Sequence, residues 1–278
     1  SVLPCGMPLM GQAGGHLSAF PSGATDRGQY ANALADITQT STNDSGINTS
    51  AMIDTLYEPL LFGRAEGYHR VWCLGPGDSL TQAPESPSPV PVLNAGDAYG
   101  NKGWWERTIA LLGDQYLNIA ISASHPNIWD TSGRASVPFE LAGLCCNCAV
   151  VALGTNTNGQ TASQILISLQ NLVRKVRSWA DIVIVPTIAP RTTGNFGNQT
   201  PHPDTATYNA INTALRAGQI IGATIIDVRA IVQDPDATDK WREDYGPLTD
   251  DLTHPNPAGA TFAAPQMASE IRAQVKSL

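Results

Sequence analysis

Ser79 stands in Gly77-Asp78-Ser79-Leu80, a tight Gly/Asp turn after the strand-like run Tyr68-His69-Arg70-Val71-Trp72-Cys73-Leu74. The carboxyl end of a strand is where an α/β sheet presents a nucleophile. A hydroxyl is a poor nucleophile at neutral pH. It needs a base within hydrogen-bond reach, and the base needs a third group that fixes its tautomer and stabilises the imidazolium. Near the C-terminus, Asp250-Asp251-Leu252-Thr253-His254-Pro255-Asn256 can supply both from one short loop, with Asp251 three residues before His254. Between these segments, the apolar run Asn147-Cys148-Ala149-Val150-Val151-Ala152-Leu153 ends in Gly154-Thr155-Asn156-Thr157. Asn156 therefore also follows a strand, where its amide can donate to a developing oxyanion. Each piece alone has a plainer reading: a chance tetrapeptide, an Asn/Gly turn, a loop histidine beside turn-forming aspartates. All three at strand ends favour acyl transfer through Ser79.

The chain resembles the SGNH hydrolase superfamily, the GDSL esterases and lipases. The first block matches at Gly77-Asp78-Ser79-Leu80, the third at Gly154-Thr155-Asn156 and the fifth at Asp251-Leu252-Thr253-His254-Pro255-Asn256. The match covers roughly residues 68 to 278. The resemblance implies Ser79 as nucleophile, His254 as base and Asp251 as orienter. It implies an oxyanion hole made by Asn156 and two backbone N–H groups, one of them that of Ser79. The third block usually reads Gly-x-Asn-Asp, and Thr157 stands in place of its aspartate. The second block usually carries a glycine whose N–H enters the oxyanion hole. In Asn118-Ile119-Ala120-Ile121-Ser122-Ala123-Ser124 that place falls to Ala123, with Ser122 as the neighbouring alternative. A backbone N–H survives the change from glycine to alanine unless φ must be positive.

The elements that must position these groups alternate along the chain after residue 68. Strands are expected near 69–75, 116–122, 147–153, 181–186 and 223–228. Residues 162–179 carry Ile165, Leu169, Leu172, Val173 and Val176 at helical spacing; residues 204–217 carry Tyr208, Ile211 and Leu215. A further helix begins at Trp104-Trp105-Glu106. The last carries Met267, Ile271, Val275 and Leu278, with Pro265 expected in its first turn. Such alternation predicts an α/β fold, a three-layer α/β/α sandwich on a five-stranded parallel sheet. The resemblance adds the flavodoxin-like strand order 2-1-3-4-5. Pro84, Pro87, Pro89 and Pro91 argue that no helix directly follows the Gly77–Leu80 turn. The division expected is a catalytic domain over 68–278 and an N-terminal extension over 1–67, rich in Gly, Ser, Thr and Asn, packing on the core or tethering it.

Two rival chemistries fail on the same residues. Gly75-Pro76-Gly77 begins a dinucleotide-binding pattern, but Leu80 stands where the third glycine should be, and prolines replace the phosphate-binding helix. The Gly-x-Ser-x-Gly elbow of an α/β-hydrolase is missing. A catalytically degenerate carbohydrate-binding module of the same superfamily is the non-enzyme alternative.

The 278 residues are ample for a core, and no apolar run approaches the ~20 residues of a membrane span. A net charge of −8 with only 16 basic residues argues against nucleic acid, which is bound largely through basic phosphate contacts. Of the five cysteines, Cys145, Cys146 and Cys148 cluster without the paired Cys-x₂-Cys spacing of a zinc site. Cys73 and Cys148 read as core thiols on neighbouring strands, and a disulfide involving Cys145 or Cys146 is an open alternative, as is one anchoring Cys5. No metal or organic cofactor is expected. The cysteines set no compartment; the expectation leans to an extracellular or periplasmic location. Ser1-Val2-Leu3-Pro4 lacks the charged start and continuous apolar region of a signal peptide. A start without methionine reads as a processed or excised fragment.

The expected partner is a small-molecule or carbohydrate acyl ester. Without a long apolar lid segment, short acyl groups are favoured, and a carbohydrate O-deacetylase is placed ahead of a lipase, thioesterase or arylesterase. Trp104, Trp105, Trp241 and Tyr245 are aromatic platform candidates. Trp241, ten residues before Asp251, is the one expected to flank the site.

Overall fold

The computed structural model describes residues 70–82, 103–131, 139–140 and 142–275. The expected extension over 1–67, the proline-rich stretch and Cys5 lie outside them.

Five strands form one sheet: β1 (Val71–Gly77), β2 (Gln115–Asn118), β3 (Cys148–Ala152), β4 (Ile182–Pro186) and, after a separate hairpin, β7 (Thr224–Ile226). They pair in parallel in the order β2-β1-β3-β4-β7. Counting only the sheet's own strands, this is the expected 2-1-3-4-5. The runs that read as continuously apolar are those of strands covered on both faces. Alternate residues along them enter different layers. Trp72, Leu74, Cys148 and Val150 pack on one face with Trp105 and Ile109 of α2 (Trp104–Leu112) and Met267 and Ile271 of α7 (Pro257–Gln274). Cys73, Ala149, Val151 and Val183 pack on the other with Leu169 and Leu172 of α4 (Ala162–Val176) and Tyr208 and Ile211 of α5 (Thr205–Arg216). The result is a three-layer α/β/α sandwich.

Local chemistry sets the element boundaries. α4 opens on a capping box: Thr161 Oγ1 accepts from the Gln164 N–H at 3.3 Å, and Gln164 Oε1 accepts from the Thr161 N–H at 2.9 Å. α7 opens with Asn256 as its cap and Pro257 at its first position, so Pro265 lies inside the helix and not in the first turn. Strand β1 runs through the glycines to Gly77, beyond the expected end. A single helical turn, α1 (Ser79–Gln82), follows at once. The prolines start only at Pro84, which leaves the Thr81 and Gln82 N–H groups free to donate to the Asp78 carbonyl at 3.1 and 2.9 Å. The short helices α3 (Pro126–Thr131) and α6 (Val228–Val232) complete the helical elements used below.

An antiparallel hairpin, β5 (Thr192–Asn195) with β6 (Asn198–Pro201), follows β4 and was not expected. It braces the C-terminal loop. The Thr192 N–H donates to the Leu252 carbonyl at 3.0 Å, and the buried Gln199 side chain accepts from the Trp241 N–H and donates to its carbonyl, both at 2.9 Å.

Cys73 and Cys148 lie on neighbouring strands and are fully buried on opposite faces of the sheet. The Cys145 and Cys146 sulfurs lie 3.7 Å apart. The hydrogen bond with Cys146, then burial, raise the Cys145 thiol pKa; against the opposing bond with Cys145, the bond with Cys73 and burial raise that of Cys146; and burial pushes Cys148 to about 12. No helix among the described residues is long and apolar enough to cross a membrane.

Candidate active site

Ser79, His254 and Asp251 form one hydrogen-bonded line at the carboxyl edge of the sheet. His254 Nε2 lies 2.7 Å from Ser79 Oγ, and His254 Nδ1 lies 2.6 Å from Asp251 Oδ2. The serine is placed by the end of β1 and the first turn of α1; its residue is 9 % exposed. The His–Asp pair sits on the loop before α7. Its shape is held by the carboxylate itself: Asp251 Oδ1 accepts from the backbone N–H groups of Thr253 (3.0 Å) and His254 (2.7 Å) and from Thr249 Oγ1 (3.3 Å). Burial works to raise the Asp251 pKa, but the bonds from the His254 ring and backbone and from Thr253 outweigh it and hold the carboxyl well below the usual range. An ionised Asp251 facing Nδ1 selects the tautomer with its proton there, leaving Nε2 to accept from the serine. Asn256 locks the loop from the other side, donating to the Pro247 carbonyl and to Asp250 Oδ1, both at 2.9 Å, while capping α7.

Two further loops complete the rim. Asn156 follows β3 and is half-buried; one of its amide protons goes to the Ser124 carbonyl at 3.1 Å. That bond orients the side chain and leaves the second proton available. Ala123 has φ 58°, the left-handed backbone that the glycine of the family pattern accepts more easily. The exception named from the sequence applies: φ is positive there, so the alanine holds this loop in a backbone region that glycine adopts at less cost. The next residue anchors the loop. The Ser124 hydroxyl donates to the Gly77 carbonyl at 2.8 Å and accepts from the Trp129 indole at 3.0 Å.

The profile of the GDSL-like lipase/acylhydrolase family matches residues 77–262. The chain belongs to the SGNH hydrolases. An aryl esterase from M. smegmatis, in an inhibitor-bound form, is 18 % identical, with 74 % of this chain and 100 % of that one covered and a TM-score of 0.51. A putative SGNH hydrolase from Slackia heliotrinireducens is also 18 % identical, with 74 % and 100 % covered and a TM-score of 0.50. Protein YXIM from Bacillus subtilis is 15 % identical with a TM-score of 0.48; 74 % of this chain is covered, and this chain spans 57 % of that protein. These likenesses concern the fold. A search of curated proteins finds no match. The family is one of carboxylic ester hydrolases.

In this SGNH hydrolase the family's third-block aspartate is replaced by Thr157, whose hydroxyl donates to Asp204 Oδ2 at 2.8 Å at the start of α5. A carboxylate thus reaches the loop from another element. Asp78 is 1 % exposed, and burial pushes its carboxyl up to about 7, against the opposing Leu80 N–H and the charges of His254 and Arg191.

Trp241 does not flank the site as a platform. It is fully buried, its indole donating to the Leu252 carbonyl at 3.2 Å, so it supports the triad loop from beneath. Trp104 and Trp105 are likewise core residues, 3 % and 1 % exposed. Tyr245 is exposed, packed on Phe262 with ring centres 4.6 Å apart and under the Arg242 guanidinium. Sequence reading missed Asn118 as a support: its buried amide donates to the Thr81 carbonyl of α1 (2.9 Å) and to Glu106 Oε1 of α2 (3.0 Å). A lone Asn at a strand end gives no local sign of partners on two other helices. Among the described residues no cluster of His, Cys, Asp and Glu is arranged to hold a metal.

Proposed function

We propose that this protein is a serine esterase that hydrolyses short-chain acyl esters, with residues 68–278 as the catalytic unit and an O-acetylated carbohydrate as the favoured substrate. The observation that carries the reading is the Asp251–His254–Ser79 line, with contacts of 2.6 and 2.7 Å. Ser79 Oγ attacks the ester carbonyl while His254 Nε2 takes its proton. The tetrahedral oxyanion is stabilised by the second amide proton of Asn156 and by the backbone N–H groups of Ser79 and Ala123. The imidazolium, held by Asp251, protonates the departing alkoxide, which leaves as the alcohol. Water then attacks the acyl-enzyme with His254 again as base, and collapse returns Ser79 and a carboxylic acid. No step calls for a metal or an organic cofactor.

A carbohydrate alcohol is favoured by the polar rim beside the second and third loops, where Asn158 Nδ2 and His125 Nε2 lie 3.3 Å apart next to Ser124 and Asn156. Amide and imidazole groups of this kind suit sugar hydroxyls. The alternatives are hydrolysis of aryl, thio- or long-chain esters by the same triad. A p-nitrophenyl ester series of increasing chain length, run beside acetate release from acetylated polysaccharides, separates them. The proposal expects the fastest turnover with acetyl and release of acetate from the polysaccharide. Fastest turnover with long chains and no acetate release contradicts it.

A further inference from the structure

Beneath the nucleophile turn, Asp78 and Trp104 border the same small pocket, together with Leu80, Thr155, Thr187 and Ile188. Its polar groups are largely committed. The Thr187 hydroxyl donates to Asp227 Oδ1 at 2.8 Å and accepts from the Arg229 N–H at 2.9 Å, and Asp78 Oδ1 accepts from the Leu80 N–H at 3.0 Å. Among the described residues, two buried polar atoms of the pocket's lining have no hydrogen-bond partner: Asp78 Oδ2 and Trp104 Nε1. Their residues are 1 % and 3 % exposed. The two atoms do not bond each other. Leaving such atoms unsatisfied in a protein interior is unfavourable. A water molecule offers the missing complement to both. The pocket's volume is about 20 Å³, above the roughly 10–15 Å³ that one water requires.

We propose that this pocket is a built site for one internal water, which accepts the Trp104 indole N–H and hydrogen-bonds to Asp78 Oδ2. The water ties the first residue of α2 to the residue preceding the nucleophile. It supplements the direct tie from α2 to α1 through Glu106, Asn118 and the Thr81 carbonyl. Buried waters of this kind bond otherwise unsatisfied polar groups and are costly to remove.

The test is a crystal structure of the full chain at a resolution that shows ordered water, with Trp104→Phe solved alongside. The wild type is expected to show one density peak at about 2.7–3.2 Å from both Asp78 Oδ2 and Trp104 Nε1. Trp104→Phe removes the donor while keeping an aromatic ring, and should lose the peak or shift it out of reach of residue 104. No peak in the wild type, or a peak bonded to only one of the two atoms, overturns the proposal. So does a peak that stays in place at unchanged occupancy in Trp104→Phe. If that variant does not fold, the wild-type density decides alone.

Discussion

Ser79 Oγ and His254 Nε2 lie 2.7 Å apart although 175 residues separate them in sequence. Neither element reaches the other by local structure. Ser79 is delivered by the buried strand β1, and His254 by a loop pinned through Asp251, Asn256 and the β5–β6 hairpin. The contact is thus a property of the whole sandwich, and each support makes its own prediction.

Asp251→Asn should leave the protein folded and lower kcat by about three to four orders of magnitude. The Asp251 carboxylate accepts on both sides, from two backbone N–H groups through Oδ1 and from His254 Nδ1 through Oδ2. In an asparagine the carbonyl oxygen must face the backbone donors, so the NH₂ faces Nδ1. The imidazole then carries its proton on Nε2 and cannot accept from Ser79. Steady-state kinetics beside circular dichroism check this; near-normal kcat contradicts the orientation assigned to Asp251.

Asn156→Ala removes one oxyanion donor, a contribution of roughly 2.7–4 kcal/mol to the barrier. The expected outcome is a fall in kcat of about two to three orders of magnitude with KM much less affected. The existing bond to the Ser124 carbonyl is what makes the side chain pre-oriented. A fall of less than about threefold, well short of what an oxyanion donor supplies, removes Asn156 from the role.

The buried Asp78 makes stability depend on pH in an unusual direction. Its folded pKa is raised to about 7 from 3.8, so between those values the folded state binds the extra proton. Stability is therefore lost as pH rises from about 4 to about 7, by up to about 4 kcal/mol from this group. Asp78→Asn cannot ionise. Its stability relative to wild type should improve steadily over that interval and level off above it. Denaturant melts at several pH values measure the difference, and a pH-independent difference contradicts an elevated pKa at Asp78.

Ala123 at φ 58° carries backbone strain of about 1 kcal/mol that glycine would not. Ala123→Gly should raise stability by up to about 1 kcal/mol, the gain being offset in part by the freer unfolded chain. Ala123→Val, β-branched in the left-handed region, should lower stability by about 1–2 kcal/mol and lower kcat as the loop shifts. Thermal unfolding of the two variants should move in opposite senses; valine matching alanine contradicts the strain.

The sheet was legible because β1, β3 and β4 are apolar on both faces, which only a doubly covered parallel strand requires. The α4 stripe from Ile165 to Val176 was equally plain. Ser79, Asn156, Asp251 and His254 stood out because each follows such a strand or closes on a short-range pair. What escaped were features decided by distant partners. Thr192–Pro201 has no apolar alternation, and its hairpin is held by Gln199 against Trp241 and by Thr192 against Leu252. Trp241 looked like a rim aromatic because its distance from Asp251 along the chain says nothing of which side of the loop it takes. Pro265 was read as a helix start because an interior proline is costly, whereas Asn256 and Pro257 supply a stronger start earlier.

The most direct test is turnover of p-nitrophenyl acetate by wild type and by Ser79→Ala, with folding of both verified by circular dichroism. A triad hydrolase predicts wild-type turnover that falls by at least about three orders of magnitude in Ser79→Ala. Wild-type turnover that survives in Ser79→Ala to within about tenfold contradicts the assignment of Ser79 as the nucleophile.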